Sequence, residues 1–191
     1  MNEIQPIDIL KEPMEIGKVF AESEMFPDIK SQSQGVVKIL AGRELGLSPF
    51  QAVSGIFMVN GKLALQSGVM SSLIKRSKKY DYTVDSLDET QCSISFYDVS
   101  KEEQRALGVS TFTFKDAAKA GLVNKDNWKN YPKNMLFARA LSNGARWYCP
   151  DVICGWYTVE ETNDIEEPVI NPKKMIELTA EGNVTNGEAK V

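Results

Sequence analysis

Residues 133–148, KNMLFARALSNGARWY, constrain the fold more than any other stretch of the chain. At about 100° per residue, Phe137, Leu141, Gly144 and Tyr148 fall on one face of a helix. Arg139, Ser142, Asn143 and Arg146 fall on the other. Pro150 cannot continue the helix and disfavours helical geometry at Cys149. Any fold must therefore bury an aromatic-rich stripe on one side of this helix and accommodate two guanidinium groups, nearly in line, on the other.

The remaining elements are arranged around it. Met14 to Ala21 reads as a short helix, and Ser33 to Leu45 as a longer one with Val36, Val37, Leu40 and Ala41 as its apolar stripe. Gly46 supplies the left-handed stop and Pro49 follows. In IFMVNGKLAL, residues 56–65, Asn60-Gly61 sits between two apolar runs, the pattern of a β-hairpin with a type I′ turn. Ser67 is placed to cap a helix running to about Lys79. Residues 82–98 read as two strands joined by Leu87-Asp88-Glu89-Thr90, and Val109 to Phe114 as another. Thr113 and Asp116 form a capping box for a short helix that stops at Gly121. Trp128 to Pro132 reads as a loop or turn. The order predicts an α+β fold with a mainly antiparallel sheet. Residues 1–161 form one domain, and 162–191, acidic and without aromatics, read as a disordered tail.

The composition excludes several chemistries. There is no histidine, which removes Ser-His-Asp and Cys-His nucleophile systems and His-containing metal sites. Three cysteines, Cys92, Cys149 and Cys154, without framework spacing suit a reducing compartment. No apolar run approaches the roughly 20 residues of a membrane helix, and the N-terminus carries no basic n-region, so a cytoplasmic location is expected and no membrane partner. The net charge of −4 is unevenly spread: residues 160–191 hold three lysines against eight acids, whereas 115–146 hold seven Lys or Arg against Asp116 and Asp126. A local basic surface matters more for phosphate binding than the total.

Gly61-Lys62 is not a phosphate loop, because five residues rather than four separate Gly55 from Gly61 and Leu63 stands where Ser or Thr should hold magnesium. Asp81, Asp85, Asp88 and Glu89 could serve a metal-dependent nuclease only by converging on one ion; their turn-like positions favour exposed acids. Arg139 and Arg146, with Asn143 and Ser142 between them, match successive phosphates, since guanidinium forks fit phosphate oxygens. The preceding KDNWKNYPK interleaves Lys125, Lys129 and Lys133 with Trp128 and Tyr131, a composition suited to single-strand binding. For Trp128 the residues leave core packing and base stacking equally open. Lys75, Arg76, Lys78 and Lys79 supply a second basic patch, although such runs are mostly solvated helix faces.

Two blocks carry a family resemblance. LAGRELGLSPFQAVSGIFMVNGKLALQSGVMSSLIKRS and FKDAAKAGLVNKDNWKNYPKNMLFARALSNGARWYCPDV, the latter followed by GWYTVEE, lie across roughly residues 35–161. They resemble the core of RecT-type bacteriophage recombination proteins. The resemblance implies a curved antiparallel sheet backed by helices, and a protein that binds single-stranded DNA and anneals complementary strands without ATP, cofactor, metal or catalytic residues. It further implies homo-oligomers, as rings or helical filaments, that hold the strand and the annealed duplex intermediate in a basic groove within a bacterial host cell, with a partner exonuclease or host single-strand-binding protein nearby. Carried onto this chain, Trp128, Lys129, Lys133, Arg139 and Arg146 are the groove residues implied first, with Lys75, Arg76, Lys78 and Lys79 behind them. The alternative is a RecT-like body repurposed to bind a host or rival protein through residues 162–191; a metal-dependent nuclease is a distant third.

Overall fold

The computed structural model describes residues 10–59 and 61–162. Asn60 and residues 163–191, the bulk of the expected tail, lie outside the described residues. Three helices lead the chain: α1 (Lys11–Glu22), α2 (Gln32–Glu44) and α3 (Pro49–Gly55). Strands β1 (Ile56–Val59) and β2 (Lys62–Leu65) precede α4 (Ser67–Arg76). Then come β3 (Tyr80–Leu87), β4 (Gln91–Asp98) and β5 (Arg105–Thr113). Helices α5 (Phe114–Lys119), α6 (Asp126–Asn130), α7 (Pro132–Tyr148) and α8 (Pro150–Ile153) follow, and β6 (Tyr157–Thr158) runs into α9 (Val159–Thr162).

The class is α+β, as the element order predicts, but the strands form two sheets rather than one. β3-β4-β5 is antiparallel throughout. In β1-β2-β6, β1 pairs antiparallel with β2, from Ile56↔Leu65 to Val59↔Lys62, and β6 adds to β2 in parallel. A two-residue strand carries no periodicity that a sequence pattern could reveal.

Local chemistry explains most boundaries. The Ser31 hydroxyl accepts from the Gln34 amide while the Gln34 side chain accepts from Ser31, and Ser48 with Gln51 repeats the device ahead of Pro49 at the first turn of α3. Thr113 and Asp116 form the expected box, their bonds 3.1 and 3.0 Å long. Gly46, at φ +64, ends α2 in the left-handed region that costs an L side chain most.

Several expectations shift by a turn or a face. In α2 the buried residues are Gly35, Lys38, Ile39, Ala41 and Gly42, while Val37 is exposed. Small residues turn inward because α1 and α3 approach closely there. Lys38 is buried because its ammonium bonds Asp28 and the Val53 carbonyl. Ser67 does not cap α4: Gln66 is the cap residue, and the Ser67 hydroxyl donates to Glu160 at 2.9 Å instead. That helix ends at Arg76, so Lys78, at φ +56, and Lys79 lie beyond it. The Trp128 segment is a helical turn, α6, rather than a loop. Thr162 is not tail but a buried residue of α9.

α7 crosses β4 and β5 and organises the core. It is buried nearly all round, at Met135, Leu136, Ala138, Ala140, Leu141, Ser142, Gly144 and Ala145. Cys92, Ile94 and Phe96 alternate inward from β4 to meet it. Gly144 is required by this crossing: a Cβ there would stand 2.1 Å from Phe96 Cε2. Burying each of Phe96, Leu136 and Leu141 contributes about 1.5–3 kcal/mol. No helix among the described residues is long and apolar enough to cross a membrane.

Candidate nucleic-acid interface

The arginine face of α7 is occupied from within. Glu161, on α9, is 4% exposed and sits between Arg139 and Arg146. Arg146 grips it bidentately, Nη1 donating to Oε2 at 2.7 Å and Nη2 to Oε1 at 2.8 Å. Arg139 Nη1 lies 3.4 Å from Oε1. The Ser142 hydroxyl donates to Oε2 at 2.5 Å, and Asn143 accepts from Arg146 Nη2 at 2.8 Å. The four residues assigned to the polar face are therefore gathered at one locus, as the helical spacing requires. They are not a solvent-facing stripe; Arg139, Asn143 and Arg146 are each partly buried around a carboxylate. The Arg139 guanidinium also lies 6.0 Å from the Phe112 ring centre, and that of Arg146 lies 4.7 Å from Tyr157.

The basic–aromatic segment divides into an inside and an outside. Trp128 is 1% exposed and packs against Phe112, ring centres 6.1 Å apart. Core packing is thus its role; a ring with no open face cannot stack a base, so its place among the groove residues is withdrawn. One turn of helix that points Trp128 inward turns Lys125, Lys129 and Tyr131 outward. Both lysines are exposed, as is Lys133 on the first turn of α7, and Tyr131 at the junction of the helices is 62% exposed.

Two aromatic residues at the arginine end of α7 did not figure in the sequence reading. Trp147 is 59% exposed, and Tyr157, whose ring covers the Arg146 guanidinium, is also exposed. Trp147 had a readable signal: it falls about 40° round the helix from Asn143. Tyr157 had none, because only the fold brings it to Arg146.

The second basic patch is largely committed to local contacts. Lys75 bonds Asp81 and the Tyr82 carbonyl. Arg76 donates to the Leu45 carbonyl at the end of α2, 3.1 Å away, and so caps that helix. Lys79 reaches Asp151 at 2.7 Å and covers the Tyr80 ring; the Asp151 bond above all pushes its pKa up. Among the described residues, Lys78 alone of the four has an exposed side chain with no ion pair or hydrogen bond.

The acids near β3 are likewise dispersed. Asp81 and Asp85 lie within β3, not in turns; Asp85 accepts from Ser95 at 2.6 Å, and Asp88 accepts from Thr90 and Gln91. Those bonds hold the Asp88 carboxyl below its ordinary range. Among the described residues, no three of His, Cys, Asp and Glu are grouped to hold a metal ion. Burial pushes the Cys92 thiol up to about 11 and the Cys149 thiol up to about 12. No protein-family model, curated protein or solved structure matches this chain.

Proposed function

We propose that the chain binds single-stranded DNA and promotes annealing of complementary strands without ATP, in the manner that its resemblance to RecT-type proteins implies. The observation that carries this reading is the outer surface of α6 and the start of α7, where Lys125, Lys129, Tyr131 and Lys133 are all exposed. Lysines neutralise phosphates without reading sequence, and a ring on the surface accepts the face of any base. Exposed Trp147 and Tyr157 offer further ring surface at the other end of α7. Annealing breaks and forms no covalent bond. It needs phosphate repulsion screened while base edges stay available, and backbone contacts with intermittent stacking provide both. Repetition along a homo-oligomer would multiply weak contacts into avidity.

The test is annealing of two complementary oligonucleotides carrying a donor and an acceptor dye, followed by energy transfer with no nucleotide triphosphate present. The proposal expects acceleration that disappears at high salt. A rate equal to that of the DNA alone, across protein concentrations and at low salt, would contradict it.

A further inference from the structure

The chain's own carboxylate sits in a site built for an anion. Arg146 presents both terminal nitrogens to the two oxygens of Glu161, Arg139 approaches from the other side, and the Ser142 hydroxyl completes the set. We propose that Arg139, Ser142 and Arg146 form a phosphodiester subsite, that Glu161 fills it in the strand-free protein, and that a bound single strand takes the site by displacing α9. This inference rests on the single-strand reading above.

The chemistry of the exchange is balanced. A phosphodiester carries one negative charge on two non-bridging oxygens, as a carboxylate does, and the guanidinium fork accepts either bidentately. Arg146 can thus remake both bonds, and Ser142 its one bond, to the incoming group. Neither guanidinium is left buried without an anion, which is the outcome that makes loss of one ion-pair partner costly. The site's charge is unchanged by the exchange.

The displaced element is short. α9 is one turn, and β6 before it pairs with β2 through Ala64↔Tyr157 and Leu65↔Thr158. Among the described residues, and beyond the Glu161 side-chain contacts, the Ser67 hydroxyl donates to Glu160, Thr158 Oγ1 accepts from the Glu161 amide, and the Thr162 hydroxyl donates to the Thr158 carbonyl. A short element can open locally at a free energy below that of global unfolding. The Tyr157 ring over Arg146 would move with the turn, uncovering the guanidinium toward the exposed Trp147 side of the helix. Lys129, Lys133 and Tyr131 would hold the strand during the exchange, so the site opens only when DNA is already bound elsewhere on the surface.

The experiment is amide hydrogen exchange on the full chain, with and without a thymidine oligonucleotide, alongside Kd for the wild type and Glu161→Gln. Exchange in peptides spanning 157–162 should speed up when the strand is bound, while peptides of β4 and of α7 stay protected. Glu161→Gln removes the competing charge and should tighten strand binding about five- to tenfold, toward the lower end of common coupling factors. Slower or unchanged exchange at 157–162, with tight and salt-sensitive binding, would overturn the subsite and leave the single-strand reading standing. Failure of the wild type to bind the strand at low salt would overturn both. Because the exchange measurement uses the unmodified protein, it decides the question even where Glu161→Gln folds poorly.

Discussion

Replacing Trp128 by alanine tests whether its ring serves the core or the DNA. The ring is 1% exposed and packs on Phe112, so its removal takes away buried apolar surface and leaves a cavity. Aromatic-to-alanine changes at such sites cost about 3–5 kcal/mol, a large share of the roughly 5–15 kcal/mol that holds a typical domain. For a chain of this size each kcal/mol moves Tm by about 2–4 °C, so a fall of roughly 6–20 °C is expected. The companion change, Tyr131→Ala, removes a ring that is 62% exposed and should shift stability by no more than about 0.5 kcal/mol. Its cost should appear in single-strand affinity instead, about 1–3 kcal/mol for one stacked base, or roughly a 5- to 150-fold rise in Kd. Thermal unfolding and fluorescence anisotropy on both variants separate the roles. A Trp128→Ala protein with native Tm and lost binding would refute the assignment of that ring to the core.

Other outcomes follow from the packing and the ionisable groups. Gly144→Ala should destabilise by at least the 1–3 kcal/mol typical of overpacking, because the added methyl meets the Phe96 ring at 2.1 Å; urea unfolding with a midpoint equal to wild type would contradict the close crossing. A disulfide-exchange reagent at pH 8 should label Cys154 quickly and the buried Cys92 and Cys149, with thiols pushed up to about 11 and about 12, only on unfolding. Three equally fast thiols would count against that burial. Asp88, Asp116 and Asp151 are held below the ordinary carboxylate range by bonds to Thr90, Thr113 and Lys79 respectively. Their contribution is complete above the unfolded-state pKa of about 4 and is lost as pH falls through the lower folded values. The denaturation midpoint should therefore drop between pH 5 and pH 2, and a flat profile there would exclude these bonds as contributors.

What the sequence disclosed was local. The Thr113–Asp116 box, the stop at Gly46 and the long α7 ending before Pro150 each depend on residues within one turn of each other, and each is found where its pattern predicts. The Leu87-Asp88-Glu89-Thr90 turn that joins β3 to β4 was legible for the same reason. The division of the strands into two sheets was not legible, because β6 is two residues long and joins β2 from far along the chain. The arginine face was placed correctly on the helix but not in its surroundings: Glu161 lies fifteen residues beyond Arg146 in sequence, and no periodicity links them. In KDNWKNYPK the composition named the right residue types, yet only the single turn of α6 decides that Trp128 faces the core while Lys129 and Tyr131 face solvent.

On the proposed reading, the exposed lysines of α6 and α7 hold the backbone of a single strand. The most direct measurement is fluorescence anisotropy with a labelled single-stranded oligonucleotide, titrated with salt, for the wild type and the Lys129→Glu/Lys133→Glu double variant. Each phosphate contact should contribute about −0.7 to the slope of log K against log salt. The wild type should therefore bind tightly at low salt with a steep slope, and the double variant should bind weakly with a shallower one on every sequence tried. Binding that is absent at low salt, or indifferent to salt and to both reversals, would contradict the account.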